Sequence, residues 1–186
     1  PARLRSLAAE QPDAAAVSCA GTTLTRSELQ SSATRLAREL QGHGIESGDY
    51  VTVALPNSTE RFVAFVACWM LGAIPQPTSA KLPARELAAL VELAKSKVVI
   101  GAPESAVILL PDEIVHLPLG HRPDPSWADD PLPDAVSPAW KAPTSGGSTG
   151  RPKLIVSGDP AIYDPDAPLP LGLEHDGTTW NLAPSA

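Results

Sequence analysis

The chain has 186 residues, of which 43% are apolar, and its net charge is -7. This length suits roughly one domain of ~150 residues, and the composition is that of a globular protein. An acidic chain without a basic run is a poor partner for nucleic acid or anionic lipid, and no apolar run approaches the ~20 residues of a membrane span. Because the N-terminal region also lacks the apolar core of a signal peptide, we expect a cytoplasmic protein.

The first segments predict a helix, a hairpin and a second helix. Residues 4–11 have amphipathic helical spacing, and "AAVSCAGTTLT" indicates two short strands around Gly21. Thr25 followed three residues later by Glu28 is the pattern of a capping box. The helix that starts there carries an apolar stripe and is expected to be stopped by Gly42 and Gly44.

Strands and helices then alternate along the chain. Ser58 or Thr59 is expected to cap a buried helix, and Pro83 to start another. The strand predictions are "DYVTVALP", "AIPQPTS", "KVVIGA" and one or two strands within "AVILLPDEIVHL". This alternation predicts an α/β fold with a largely parallel sheet covered by helices.

The composition of the sequence changes after the last of these strands. Residues 117–143 contain seven prolines and little periodicity, which predicts a connector that wraps the surface. The domain prediction is therefore an α/β subdomain at 1–116, a Pro-rich connector at 117–143, a loop at 144–153 and the start of a further subdomain at 154–186.

The stretch "KAPTSGGSTGRPKLIV" suggests a loop that binds phosphate. Thr144 to Gly150 contains three glycines, two serines and two threonines, and the segments "AWKAP" and "KLIV" on either side have strand character. Small residues uncover backbone amides that can surround an anion, while serine and threonine add hydroxyl donors and Lys153 adds a cation. The alternative is a flexible Gly/Ser linker, although a linker does not usually lead directly into a strand.

Two other nucleotide-binding motifs do not fit. A Walker loop ends in GK[ST] before a helix, whereas Gly150 is followed by Arg151-Pro152-Lys153 and a β-like run. The segment "GHGIESG" has the wrong glycine spacing for a dinucleotide-binding fingerprint and lies between a helix and a strand.

The loop resembles the phosphate-loop motif [T/S]-S-G-[S/T]-T-G-x-P-K-G of the adenylate-forming enzymes. These are acyl-CoA synthetases, adenylation domains of peptide synthetases and luciferases. Gly146 stands where the motif has serine, and Leu154 where it has its last glycine; the doubled glycine and "RPKLI" are similar to fatty-acid and bile-acid CoA ligases. The positions that match the motif are Ser145, Gly147, Ser148, Thr149, Gly150, Pro152 and Lys153.

The resemblance extends upstream through "LTRSEL", "GIESGDYV" and "GAIPQP", so that it covers roughly residues 15–156. It implies an enzyme that uses ATP and Mg²⁺ to convert a carboxylic acid into an acyl-adenylate, which coenzyme A then takes up as an acyl thioester. The phosphate-binding residues it implies are Thr144, Ser145, Gly146, Gly147, Ser148, Thr149, Gly150 and Lys153.

Family members are roughly three times longer, and their remaining functional residues lie downstream of Ala186. We therefore expect the isolated chain to be an inactive N-terminal fragment without catalytic or metal-binding residues of its own. Exposed apolar surface would allow this fragment to dimerise. Two alternatives remain: an adenylation domain that loads a carrier protein, and a non-catalytic α/β interaction module.

The remaining polar candidates are predicted to be structural. His121 and His175 are expected to be solvated loop residues, and the acidic pairs Asp129-Asp130 and Asp164/Asp166 lack other residues that would complete a metal site. The two cysteines, Cys19 and Cys68, lie in apolar segments and are expected to be reduced.

Overall fold

The computed structural model describes residues 1–145 and 152–162. Within them the order of elements follows the predicted alternation. The helices are α1 (Ala2–Glu10), α2 (Arg26–Gly42), α3 (Thr59–Met70), α4 (Ala84–Ala94) and α5 (Glu104–Val107). The strands are β1 (Ala15–Cys19), β2 (Thr22–Thr25), β3 (Tyr50–Val53), β4 (Ile74–Pro77), β5 (Val98–Ile100) and β6 (Val115–Leu117).

The start of α2 has the predicted capping box. Strands β1 and β2 pair antiparallel around Gly21, whose φ is +80°. At the end of β2 the Thr25 hydroxyl accepts the Glu28 amide at 3.2 Å, and the Glu28 carboxylate accepts the Thr25 amide at 2.8 Å. These two bonds satisfy backbone donors that a helix start leaves open.

The main sheet is parallel and has the strand order β4-β3-β5-β6. Strand β3 pairs with β4 on one side and with β5 on the other, so the chain reverses its direction of travel across the sheet after β4. This confirms the predicted α/β class, a largely parallel sheet covered by helices. The reversal places a topological switch point between β3 and β5.

The two faces of the sheet are covered by different elements. On one face, valines such as Val51 and Val98 pack with α2 and α3 in the largest apolar cluster. On the other face, Val99 packs against α4 and α5, while Ile74 at the sheet edge packs against Ala139 and Ala142. The last residues of the connector are therefore part of the sheet's covering layer.

The Pro-rich connector is fastened to the helices by polar contacts. Arg35 of α2 contacts the Asp129 carboxylate at 2.7 Å, and Ser31 donates to the same oxygen at 2.6 Å. Arg38 contacts Asp130 at 2.8 Å. Such partly exposed pairs are each worth about 0–1 kcal/mol, but several in succession fix the path of a segment that lacks regular structure.

One strand forms within "AVILLPDEIVHL", where one or two were predicted. The first residues of this segment, Ala106 and Val107, belong to the short helix α5, and Ile108 is 75% exposed. A short apolar run does not by itself distinguish strand from helix, and Pro103 stands at the helix N-cap, where its missing amide costs nothing. Of the one or two strands predicted here, only β6 forms.

Among the described residues, no helix combines the length and apolarity that crossing a bilayer requires.

Candidate functional site

The segments on either side of the glycine-rich stretch form an antiparallel hairpin, which we call the loop hairpin (residues 137–145 and 153–161). Three main-chain bonds share one register: Ser145 N to Lys153 O at 2.8 Å, Ile155 N to Pro143 O at 2.7 Å, and Ser157 N to Lys141 O at 3.1 Å. Thr144 and Leu154 form the β-bridge between the first two of these bonds. The two flanking segments, predicted as strands, therefore pair antiparallel through their main chains, with a β-bridge but without a regular strand in the described residues on either side.

The last described pair on the two strands is Ser145 and Lys153. Besides the main-chain bond, the Ser145 hydroxyl oxygen accepts the Lys153 amide at 3.0 Å. The hydroxyl proton is then still available to donate to an anion, because a serine oxygen can accept and donate at once. Lys153 is exposed, so its ammonium group can reach a ligand beside the loop.

Of the predicted phosphate-binding residues, the structure brings Thr144, Ser145 and Lys153 together at the end of the loop hairpin. Gly146, Gly147, Ser148, Thr149 and Gly150 lie outside the described residues, as do His175, Asp164 and Asp166. The described residues thus fix the two ends of a seven-residue connection, 146–152.

The loop hairpin continues the covering layer of the main sheet. Ala142 donates its amide to the Pro75 carbonyl of β4 at 3.0 Å, and the Ala142 side chain is buried against Ile74. Leu154 on the opposite strand packs against the same cluster. The described ends of the loop, Ser145 and Lys153, therefore belong to a hairpin that is bonded to the edge strand of the parallel sheet.

A cavity of about 360 Å³ lies at the carboxyl ends of β3 and β5. Leu55 and Ile100 from these strand ends, Val63 of α3 and the connector residue His121 are among its lining. None of Thr144, Ser145 and Lys153 lines it. Sequence reasoning missed this cavity, because the strand order that creates a switch point is not visible in the order of the elements.

The remaining polar candidates have structural partners. His121 is not a solvated residue: its Nε2 lies 2.9 Å from the Glu39 carboxylate, and its side chain is only 22% exposed. Both cysteines are free thiols, as expected, and burial raises the pKa of Cys68 to about 12, so it stays protonated and unreactive. Within residues 1–145 and 152–162, no group of three or more His, Cys, Asp or Glu side chains could hold a metal ion.

The comparisons with known proteins assign the family. Residues 4–158 match the family model described as AMP-binding enzyme, so the chain belongs to the AMP-binding enzymes. A feruloyl-CoA synthase from an Amycolatopsis species is 31% identical over 176 residues, which are 91% of this chain and 32% of that protein.

Two solved structures show the same fold. The nonribosomal peptide synthetase FmoA3 has a TM-score of 0.71 at 25% identity, over 83% of this chain and 16% of that one. An inhibitor-bound N-terminal domain of FACL13 from Mycobacterium tuberculosis has a TM-score of 0.67 at 28% identity, over 82% of this chain and 42% of that one. The chain matches part of the length of these proteins, and its relatives include both CoA ligases and peptide synthetases.

The chain spans about a third of the length of the feruloyl-CoA synthase that it matches. The described residues include the two ends of the glycine-rich loop, Ser145 and Lys153. A hydroxyl and an ammonium group are donors of the kind that the polyphosphate of ATP requires, so the residues present fit this group. The described residues contain no carboxylate cluster that could bind Mg²⁺, and we therefore assign no magnesium ligands.

Proposed function

We propose that the complete enzyme is an ATP-dependent acid–thiol ligase that activates a carboxylic acid as its adenylate and transfers the acyl group to coenzyme A. The observation that carries this proposal is the loop hairpin, which sets a serine and a lysine side by side at the ends of a glycine-rich loop. The feruloyl-CoA synthase, matched over 91% of this chain, supports coenzyme A as the acceptor.

In the first half-reaction a carboxylate oxygen attacks the α-phosphorus of ATP. The bond from that phosphorus to the bridging oxygen breaks, and pyrophosphate leaves with the electron pair. Negative charge therefore increases on the β- and γ-phosphates, where we place residues 144–150 and Lys153. Amides, hydroxyls and an ammonium group held in position before the reaction stabilise that charge without reorganising. When bound with ATP, Mg²⁺ would share in neutralising it.

In the second half-reaction the thiol sulfur of coenzyme A attacks the acyl carbonyl, and AMP departs as the leaving group. The thiol gives up its proton, and the products are an acyl thioester and AMP. The described residues contribute binding and orientation of the substrates to these two reaction steps. On this proposal the 186 residues by themselves are inactive, because they match only about a third of the length of the feruloyl-CoA synthase.

The test is acid-dependent exchange of labelled pyrophosphate into ATP, measured on the complete gene product with fatty, aromatic, bile and amino acids offered separately. Exchange with one class of acid establishes the adenylation step and identifies the substrate class. Adding coenzyme A and following thioester formation by mass spectrometry then tests the acceptor.

The second candidate is an adenylation domain that loads a carrier protein, which the match to FmoA3 favours. It predicts exchange with an acid but transfer to a phosphopantetheine-bearing carrier in place of free coenzyme A. A third candidate, a non-catalytic interaction module, predicts no exchange with any acid by a folded protein.

A further inference from the structure

The base of the loop hairpin is held by a tryptophan that belongs to another element. Trp69, in the last turn of α3, donates its indole N–H to the Trp140 carbonyl at 2.8 Å. Two residues further along, Ala142 makes its bond to β4. The first strand of the loop hairpin is thus tied at one point to a helix and at the next to the sheet edge.

The indole of Trp69 has its own support along α3. Phe65, one turn earlier, meets it edge-on with the ring centroids 6.0 Å apart and an interplanar angle of 67°. The Arg61 guanidinium lies 5.6 Å from the centroid of Phe65 and donates to the Leu55 carbonyl at 3.1 Å. Residues spaced by four on a helix share one face, so these side chains form a row that orients the indole N–H.

The bond between Trp69 and Trp140 lies close enough to the loop to affect where the ends of the loop are placed. Ser145 lies five residues beyond Trp140, which is roughly 16 Å along an extended strand. Because Ala142 is bonded to β4 between these two points, a shift at Trp140 turns the strand about Ala142 and so moves Ser145 and Lys153. Where a group must meet a reacting ligand, a misplacement of about 1 Å can cost about a hundredfold in rate.

We propose that Trp69 is a positioning residue for ATP: its indole N–H, oriented by Phe65, fixes the tilt of the loop hairpin so that Ser145 and Lys153 meet the polyphosphate. This inference rests on the proposed function of the loop. Trp69 touches no phosphate itself and acts through the main chain of Trp140.

The test compares Trp69→Phe with Trp127→Phe in the complete enzyme. The first substitution removes the donor and keeps an aromatic ring against Phe65, and the second is a matched change at a partly exposed tryptophan of the connector. We expect Trp69→Phe to raise the KM for ATP about fivefold or more, with the KM for the acid and the urea midpoint of unfolding near wild type. Trp127→Phe should change none of these values.

An unchanged KM for ATP in Trp69→Phe, or an equal rise in the KM for ATP and for the acid, would overturn the inference while leaving the proposed function intact. If Trp69→Phe does not fold, Phe65→Leu decides, because it keeps the indole donor but removes its edge-on support. Phe65→Leu should raise the KM for ATP by a smaller factor and leave the KM for the acid unchanged. If the KM for ATP does not rise, the inference is overturned. Absence of exchange by the wild-type enzyme would reject the proposed function, and this inference with it.

Discussion

Single residues set the boundaries of the elements in this fold, and Thr25 is the clearest case. Its hydroxyl and the Glu28 carboxylate each accept an amide at the start of α2. The spacing of these two side chains is visible in the sequence, and the structure forms both bonds.

Thr25→Ala removes the hydroxyl and leaves the Glu28 amide without its acceptor. We expect the free energy of unfolding to fall by about 1 kcal/mol, measured by urea denaturation of the 186-residue chain. Thr25→Ser keeps the hydroxyl and should stay near wild type. Equal losses in the two variants would show that the methyl group, and not the cap, matters at this position.

Gly101, directly after β5, shows a second kind of constraint. Its φ is +81°, and an added Cβ would collide with the Leu55 side chain and approach the Ala54 carbonyl oxygen at 3.1 Å. Gly48 has a similar φ of +86°, but a Cβ there would meet nothing within 4 Å.

These two glycines separate the cost of the left-handed conformation from that of crowding. Gly48→Ala should lose roughly 1–2 kcal/mol in unfolding free energy for its backbone alone. Gly101→Ala should lose about 1–3 kcal/mol more, because Leu55 must move out of the core. Urea titrations of both variants measure the difference in unfolding free energy. Equal losses would mean that Leu55, just after β3, moves aside at no cost in stability.

At the scale of elements, the sequence predicted most of the sheet and helices because their apolar spacing is regular. It did not predict the buried polar contact between Thr52 of β3 and Gln76 of β4, whose side chains bond at 2.6 Å. Both residues are fully buried. A polar residue in a strand is usually read as solvent-facing, and only strand pairing shows that these two lie side by side.

The chemistry of the candidate site could be predicted from the sequence, but the contact that holds the loop hairpin in position could not. Ser145 and Lys153 could be read from the loop motif, since small, hydroxyl and cationic residues in one stretch suit phosphate. The bond from Trp69 could not, because it joins residues 71 positions apart in sequence. No local pattern distinguishes Trp69 from an ordinary core residue.

At the scale of the whole molecule, charged contacts fasten the connector to the helices: Asp129, Asp130 and Asp134 each pair with an arginine of α1 or α2. Asp129 accepts from Ser31 and faces Arg35, and these contacts lower the pKa of its carboxyl group below the ordinary value of 3.8. A carboxylate with a depressed pKa stabilises the folded state at neutral pH, and this contribution is lost as the pH falls through the folded-state pKa.

We therefore expect Asp129→Asn to have a slightly lower Tm than wild type at pH 7, and the difference to shrink as the pH falls below 3.8. Thermal melts across this pH range test the prediction. Asp112→Asn, at an exposed position ahead of β6, is the matched control and should melt like wild type throughout. A Tm difference for Asp129→Asn that persists unchanged at low pH would contradict the account.

The central claim is that the loop at residues 144–153 binds the phosphates of ATP. The most direct measurement is acid-dependent ATP–pyrophosphate exchange by the complete gene product, comparing Lys153→Ala with Arg3→Ala, which removes an exposed positive charge from α1. We predict that wild type and Arg3→Ala exchange at similar rates and that Lys153→Ala loses at least tenfold, since a charge-assisted contact is worth about 1.5–3 kcal/mol. Equal exchange by Lys153→Ala and wild type, or none from a folded wild-type protein with any acid, would contradict the assignment.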